Sequence, residues 1–443
     1  MSLLDAGRKI GVAGADHCNM PRVLSRPAAR FPPSGGPMAL LRILTFSSLF
    51  PDPERPEHGI FVRRRLEALL AEGGVHARVM APVPWFFSTH PRFGGYARMA
   101  RAPRRELLTL PGDAGVLEIL RPRYLVIPKA GMSAAPLLLA AACLPALLRM
   151  HRRTPIDLID AHYFYPDGVA AVLLARRLGV PVVITARGTD LNLIPQYTLP
   201  RLWIRWAAAH ADGLVTVCAA LKDALTALGP PPERITVLRN GVDLSRFTLL
   251  DRPALRARWG LTRPTLLSVG HLILRKGHDI IIRALAHLPH WDLLVVGDGP
   301  QRAGLEHLAR SLYAPHRVRF LGRLPPDDLP ALYNAADVLA LGSSREGWAN
   351  VLLEAMACGT PVVATDVWGT REVVASPWAG ALWPERSEMG LCRALAEVTP
   401  RLPCREQTRR YAEGFSWADT SRGQRELFHS IVERHGGADP ARS

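Results

Sequence analysis

At 443 residues the chain has room for two domains of ordinary size, and 48% hydrophobic against 21% charged residues excludes a disordered or fibrous protein. The formal net charge of +16 is uneven: residues 38–240 carry 25 basic against 15 acidic side chains, and residues 241–443 carry 25 against 22. That bias suits an anionic partner such as phosphates or an acidic membrane surface, while arginine usage on a solvated face would give the same totals.

Residues 1–37 end in RFPPSGGP, after which MALLRILTFSSLFP begins as a first strand should. Met38 therefore reads as the natural start, and 1–37 as a disordered or mis-called extension without the apolar core of a signal peptide. Strand candidates follow at Arg42–Phe46, Ala77–Ala81, Leu158–Ala161, Val182–Ala186, Gly213–Cys218 and Ile235–Leu238. A second series lies at Thr265–Val269, Leu293–Val296, Val318–Leu321, Val338–Leu341 and Pro361–Thr365, with helical segments such as Phe61–Glu72, Ala170–Leu178, Gly277–Ala286 and Gln301–Leu312 between strands. The alternation predicts an α/β chain of two doubly wound, Rossmann-like parallel-sheet domains, with a ligand cleft between them. LRNGVDLSRF, with its Asn-Gly turn, reads as the junction near residue 240, and FSWADTSRGQRELFHSIVERH as a final helix. The apolar run Ala134–Leu148 contains Pro145 and is too short to span a bilayer, so it reads as a packed helix. Six cysteines without a CxxC pair or metal-like spacing suit a reducing compartment, hence the cytoplasm.

The stretch SSREGWANVLLEAMACGTPVVATD places Glu346 and Glu354 eight residues apart. NVLLEAMACG reads as a helix with Asn350 as N-cap and Gly359 as its stop. That helix is apolar on every face except at Glu354, so the carboxylate needs a partner, either another side chain or the hydroxyls of a ligand. Glu346 lies three residues after Ser343, a capping-box spacing, yet GWAN looks like a turn whose backbone amides would favour a negative group at the following helix start. A glycosidase pair fits poorly: eight helical residues rise ~12 Å, whereas working carboxylates sit roughly 5–9.5 Å apart on opposite sides of one bond. In the first half, LIDAHYFYPDGVAA and ITARGTDLN put His162, Arg187 and Asp190 at the ends of two strands, where open α/β sheets bind ligands.

SREGWANVLLEAMACGTPVVATDVWGTREVV resembles the E-x7-E segment of family 4 retaining glycosyltransferases, which adopt the two-domain GT-B fold. RNGVDLSRF is similar to that family's interdomain linker, SVGHLILRKGHD to its phosphate-binding loop, and VVGDGPQR and RVRFLGRLPPDDLPALYNAADVLALGS follow in the family's order. The resemblance covers essentially residues 38–435. The resemblance implies an acceptor-binding domain over 38–240, a donor domain over 241–410, and a segment 411–443 packing back toward the first domain.

By the same resemblance, Lys276 binds the donor diphosphate, with Arg275 and with His271 where the family usually has arginine. Gly299 and Gly59 allow close approach to the donor, although His58-Gly59 replaces the usual double glycine. Glu346 holds the sugar, Glu354 the ribose, and Asn350 and Val351 lie at the helix start between them. His162 joins Lys276 and Glu346 as a catalytic candidate, while Arg187 and Asp190 shape the acceptor side. Trp348-Ala349 stands where the family commonly has an aromatic residue then glycine. The expected activity is retaining, metal-independent hexosyl transfer from a nucleotide-diphosphate sugar, with no cofactor, metal site or nucleic-acid partner. The expected acceptor is a glycan or lipid-linked intermediate of surface-polysaccharide assembly, at the inner face of the plasma membrane. FVRRRLEALL and the Ala134–Leu148 helix are the expected contacts with anionic lipid. A GT-B epimerase and a non-catalytic carbohydrate-binding relative are the alternatives.

Overall fold

Short β-branched runs such as LRILTF, VVITA, DLLVV and VVAT extend because their side chains pack well on both faces of a covered sheet. The structure, a computed structural model, describes residues 40–437 except 89, 91–98, 100, 111–114, 128–130, 314–315, 384 and 403, so the expected extension 1–37 lies outside it. The first ten strands are β1 (Leu41–Phe46), β2 (Val75–Met80), β3 (Val83–Trp85), β4 (Arg105–Thr109), β5 (Val116–Leu120), β6 (Arg123–Leu125), β7 (Leu158–His162), β8 (Val182–Ala186), β9 (Gly213–Thr216) and β10 (Ile235–Val237). Eight of them form one sheet in the order β10-β9-β8-β7-β1-β2-β5-β4, and β3 pairs with β6 separately. The remaining strands are β11 (Thr265–Val269), β12 (Asp292–Val296), β13 (Val318–Gly322), β14 (Val338–Leu341), β15 (Val362–Thr365) and β16 (Gly380–Trp383). They form a second sheet, β13-β12-β11-β14-β15-β16, parallel throughout.

Strand order reverses between β1 and β7 in the first sheet and between β11 and β14 in the second, which creates a crevice at the C-terminal strand ends of each. Register pins these neighbours: Ile43 lies opposite Leu158, and Leu266 opposite Val338. The helices that position the site are α1 (Ile60–Ala71), α2 (Ala135–Arg153), α3 (Val169–Leu178), α4 (Ala219–Thr226), α5 (His278–Ala284), α6 (Asn350–Ala357) and α7 (Trp417–Gly437).

Two chain passages join the sheets. The segment after β10 leads into the second, and Val242 N donates to Phe415 O at 2.9 Å where the chain returns to α7. Leu427, Phe428 and Ile431 of α7 then pack with Val62, Leu66 and Leu69 of α1 in the core of the first sheet. Helix α2 buries Leu139, Cys143, Leu147 and Met150 and runs straight through Pro145, so that proline does not end it. Among the described residues no helix is long and apolar enough to cross a membrane. Cys143, Cys218, Cys358, Cys392 and Cys404 are free thiols.

Candidate functional site

The loop after β11 passes directly over the end of β14, because Gly277 sits at φ 68° and any Cβ there would lie 2.1 Å from the carbonyl oxygen of Gly342. This closeness brings Lys276 to Glu346: Nζ donates to Oε1 at 2.6 Å, and Ser343 Oγ donates to the same oxygen at 2.7 Å. Arg275 Nη1 lies 3.4 Å from that oxygen and donates to the Arg345 carbonyl at 2.8 Å. The Ser343 hydroxyl therefore holds the Glu346 side chain instead of capping a helix, despite the capping-box spacing. Burial alone would raise the Glu346 carboxyl, but the charges of Lys276 and Arg275, with the hydrogen bonds from Lys276 and Ser343, outweigh it and hold the group below the usual carboxylate range. Three of the expected donor residues thus meet at one point. His271 is exposed on the same loop, and Gly299 lies beside it, a Cβ there falling 2.6 Å from Leu272 O.

Glu354 is 7% exposed, and each of its carboxylate oxygens accepts one side-chain hydrogen bond. Arg64 Nη1, from α1 of the first sheet, donates to Oε1 at 2.8 Å, and Tyr333 Oη donates to Oε2 at 3.0 Å. Burial, then the neighbouring carboxylate, push the Tyr333 hydroxyl well above its ordinary range, so it remains a donor. Asn350 does not cap α6: Ala349 holds that position without any side-chain cap, and Asn350 Oδ1 instead accepts from Asn240 Nδ2 at 3.2 Å. An uncapped first turn leaves the backbone amides around Asn350 and Val351 as donors suited to an anion.

His162 lies at the end of β7 as expected, but it is 1% exposed and both ring nitrogens are engaged. Arg187 Nη2 lies 2.7 Å from Nδ1, and Nε2 lies 3.1 Å from Asp160 Oδ2. Because arginine only donates, Nδ1 is the acceptor and the proton sits on Nε2, facing Asp160. Burial, reinforced by Arg187 and only partly offset by Asp160, pushes His162 down to about 4, so it is a neutral link and not a base open to substrate. The chain continues from Arg187 Nη1 to Asn240 Oδ1 at 3.0 Å, and on its other side from Asp160 to Gln424 of α7 at 3.1 Å and from Gln424 to Arg65 at 2.6 Å. Asp190 is buried too, accepting from the backbone amides of Phe164, Arg187 and Gly188, so its carboxylate shapes the turn after β8 instead of facing an acceptor. The FVRRRLEALL arginines are also committed, Arg63 to Glu67, Arg64 to Glu354 and Arg65 to Gln424, and do not form a basic surface.

Gly59 precedes α1 at φ 63°, where a Cβ would lie 1.9 Å from Leu49 O, so this turn admits only glycine. Further contacts link the two sheets' domains. Gly347 lies against the Arg187 carbonyl, and Glu372 accepts from Ala219 N at 2.6 Å and from Arg239 Nη2 at 2.8 Å.

Residues 106–246 match the family model described as Glycosyltransferase Family 4, and residues 251–414 match the one described as Glycosyl transferases group 1. A D-inositol 3-phosphate glycosyltransferase of Rhodococcus jostii is 34% identical over 322 residues, covering 64% of this chain and 69% of that protein. The chain belongs to glycosyltransferase family 4. Solved structures agree on the two-domain GT-B fold. Sucrose-phosphate synthase from Thermosynechococcus elongatus has a TM-score of 0.73 at 21% identity, covering 89% of this chain and 100% of that one. Anabaena Alr3699/HepE in complex with UDP-glucose has a TM-score of 0.63 at 21% identity, covering 88% and 99%. This family 4 glycosyltransferase also carries site residues that sequence reasoning missed. Tyr333, Arg64, Asn240 and Glu372 are 21 to 290 residues from their partners in sequence, as Tyr333 and Arg64 are from Glu354. For Tyr333 and Arg64 the sequence signal was Glu354's own need for a partner.

Proposed function

We propose that this glycosyltransferase moves a sugar from a nucleotide-diphosphate sugar, with retention and without a metal, to a glycan or lipid-linked acceptor of surface-polysaccharide assembly on the cytoplasmic side of a membrane. The observation that carries the reading is the meeting of Lys276, Arg275, Ser343 and Glu346 at the switch point of the second sheet, facing the first domain. A departing diphosphate gathers negative charge as the sugar–phosphate bond breaks, so preorganised cations accelerate the step more than a strong base would. Lys276 has three N–H donors and spends one on Glu346, which leaves two for phosphate oxygens. Glu346, kept ionised by that pairing, accepts from hydroxyls of the donor sugar, and Glu354 accepts from the ribose. The first-turn amides of α6 lie between them, and domain closure completes the site. The UDP-glucose bound by the Anabaena neighbour supports a nucleotide-sugar donor. On the first domain, exposed Trp85, Phe87, Leu125 and Ile127 and the basic excess of residues 38–240 support contact with anionic lipid.

The deciding experiment incubates the protein with UDP- and GDP-sugars, with and without glycan and polyprenyl-phosphate-linked acceptors, and follows nucleoside diphosphate release and the anomeric configuration of the product. Acceptor-dependent release with an unchanged anomeric configuration is expected, and Lys276→Ala should slow it by about 10²–10³-fold. Release or epimerisation that ignores the acceptor, or native rates in Lys276→Ala and Glu346→Gln, would overturn the reading.

A further inference from the structure

The carboxylate that the proposed function assigns to the ribose is held from the opposite domain. Glu354 projects from α6, beside the second sheet, while its partner Arg64 projects from α1, beside the first. The two residues are 290 apart in sequence, and their 2.8 Å contact spans the two domains. Tyr333, from the second domain, takes the other oxygen at 3.0 Å. An ionised carboxylate has about four lone-pair sites, so one remains on each oxygen. Two vicinal hydroxyls would need that number of acceptors. The Arg64 guanidinium is itself fixed: its carbon lies 5.9 Å from the Phe247 ring centroid, and Phe247 packs edge-on against Tyr333.

We propose that Arg64 is a positioning residue for donor recognition, orienting Glu354 and making ribose binding conditional on domain closure; this rests on the reading of Glu354 as the ribose acceptor. Opening the cleft withdraws Arg64 and leaves a mostly buried carboxylate with a single side-chain donor, whose remaining lone pairs are no longer aimed. A nucleotide that engages both oxygens therefore favours the closed arrangement, in which Gly347, next to Glu346, also lies against Arg187 of the first domain. Coupling of this kind is reciprocal, so a closed cleft binds ribose better to the same degree that ribose closes the cleft.

The test compares UDP and GDP with their 2′,3′-dideoxy counterparts by titration calorimetry on the full chain, wild type against Arg64→Met, Arg64→Lys and Glu354→Gln. Wild type should prefer the ribose form of the nucleotide it binds by about tenfold or more, the scale of a hydrogen bond to a charged group. Glu354→Gln and Arg64→Met should each lose most of that preference, Arg64→Lys should regain part of it, and the donor KM of Arg64→Met should rise more than its kcat falls. If wild type does not discriminate, the ribose reading of Glu354 fails. If wild type discriminates, Glu354→Gln loses the preference and Arg64→Met keeps it, the ribose reading stands and the role of Arg64 is overturned. A double-mutant cycle of Arg64→Met with Glu354→Gln separates the coupling from general destabilisation: strictly additive losses in dideoxy discrimination also overturn it.

Discussion

His162 shows how a residue's surroundings decide its role. A histidine at a strand end in an open α/β sheet invites a catalytic reading, yet Arg187 and Asp160 occupy both its nitrogens and burial drives it down to about 4. The fold therefore favours the neutral imidazole. Its contribution to stability is complete above the ordinary histidine value of 6.5 and is lost as pH falls through about 4. The loss should reach about 3 kcal/mol for a shift of this size. Glutamine can accept from Arg187 and donate to Asp160 without titrating. His162→Gln should accordingly flatten part of the fall in melting temperature between pH 6.5 and 4. The flattening is partial because His278, lowered to about 4 by burial and by Lys276, titrates in the same window. Equal losses in wild type and variant would show that His162 does not cause the fall. Glu354 is the converse case. Its need for a partner was legible from an all-apolar helix, but the identity of Arg64 and Tyr333 was not.

At the scale of elements, the covered parallel strands were readable, and those that were missed are the ones that break the apolar pattern. Val182–Ala186, Thr265–Val269 and Val338–Leu341 are continuous apolar or β-branched runs buried along their whole length, and their bounds agree with expectation. The strand Arg105–Thr109 pairs antiparallel at a sheet edge with alternate residues exposed, and Gly380–Trp383 closes the opposite sheet with four small or bulky residues, so neither carries a strong apolar signal. Helix α4 was equally opaque at its start, since Cys218 stands at the N-cap with no side-chain cap. Its cap comes from the other domain: Glu372 accepts from Ala219 N and Ala220 N and pairs with Arg239. Glu372→Ala should cost about 1–2 kcal/mol, the scale of a lost N-cap, read as a lower urea midpoint. An unchanged midpoint would show that this contact across the domains contributes nothing to stability.

For the whole molecule, the uneven charge bears on where the protein works. The proposed membrane contact predicts that the protein co-sediments with vesicles rich in phosphatidylglycerol, binds neutral phosphatidylcholine weakly, and is released near ~0.5 M salt, where charges are screened within a few ångströms. Equal sedimentation with both vesicle types at low salt would remove the membrane from the proposal. The relation between the domains is a second property of this scale. Links run from Arg65 of α1 through Gln424 of α7, Asp160, His162, Arg187 and Asn240 to Asn350, and so join helix α1, the final helix, the first sheet, the segment after β10 and α6 in one network. By itself the sequence determined the fold class, because apolar periodicity and glycine-bounded turns are local properties of the chain, whereas the Lys276–Glu346–Glu354 set is an expectation that rests on the family resemblance of the motifs carrying it. Only the tertiary structure decided that Glu354 answers to Arg64 across the cleft, that His162 and Asp190 are buried supports, and that a helix in one domain is capped by a carboxylate of the other. Each of these depends on which charged groups burial forces together, and residues hundreds of positions apart carry no local mark of that pairing.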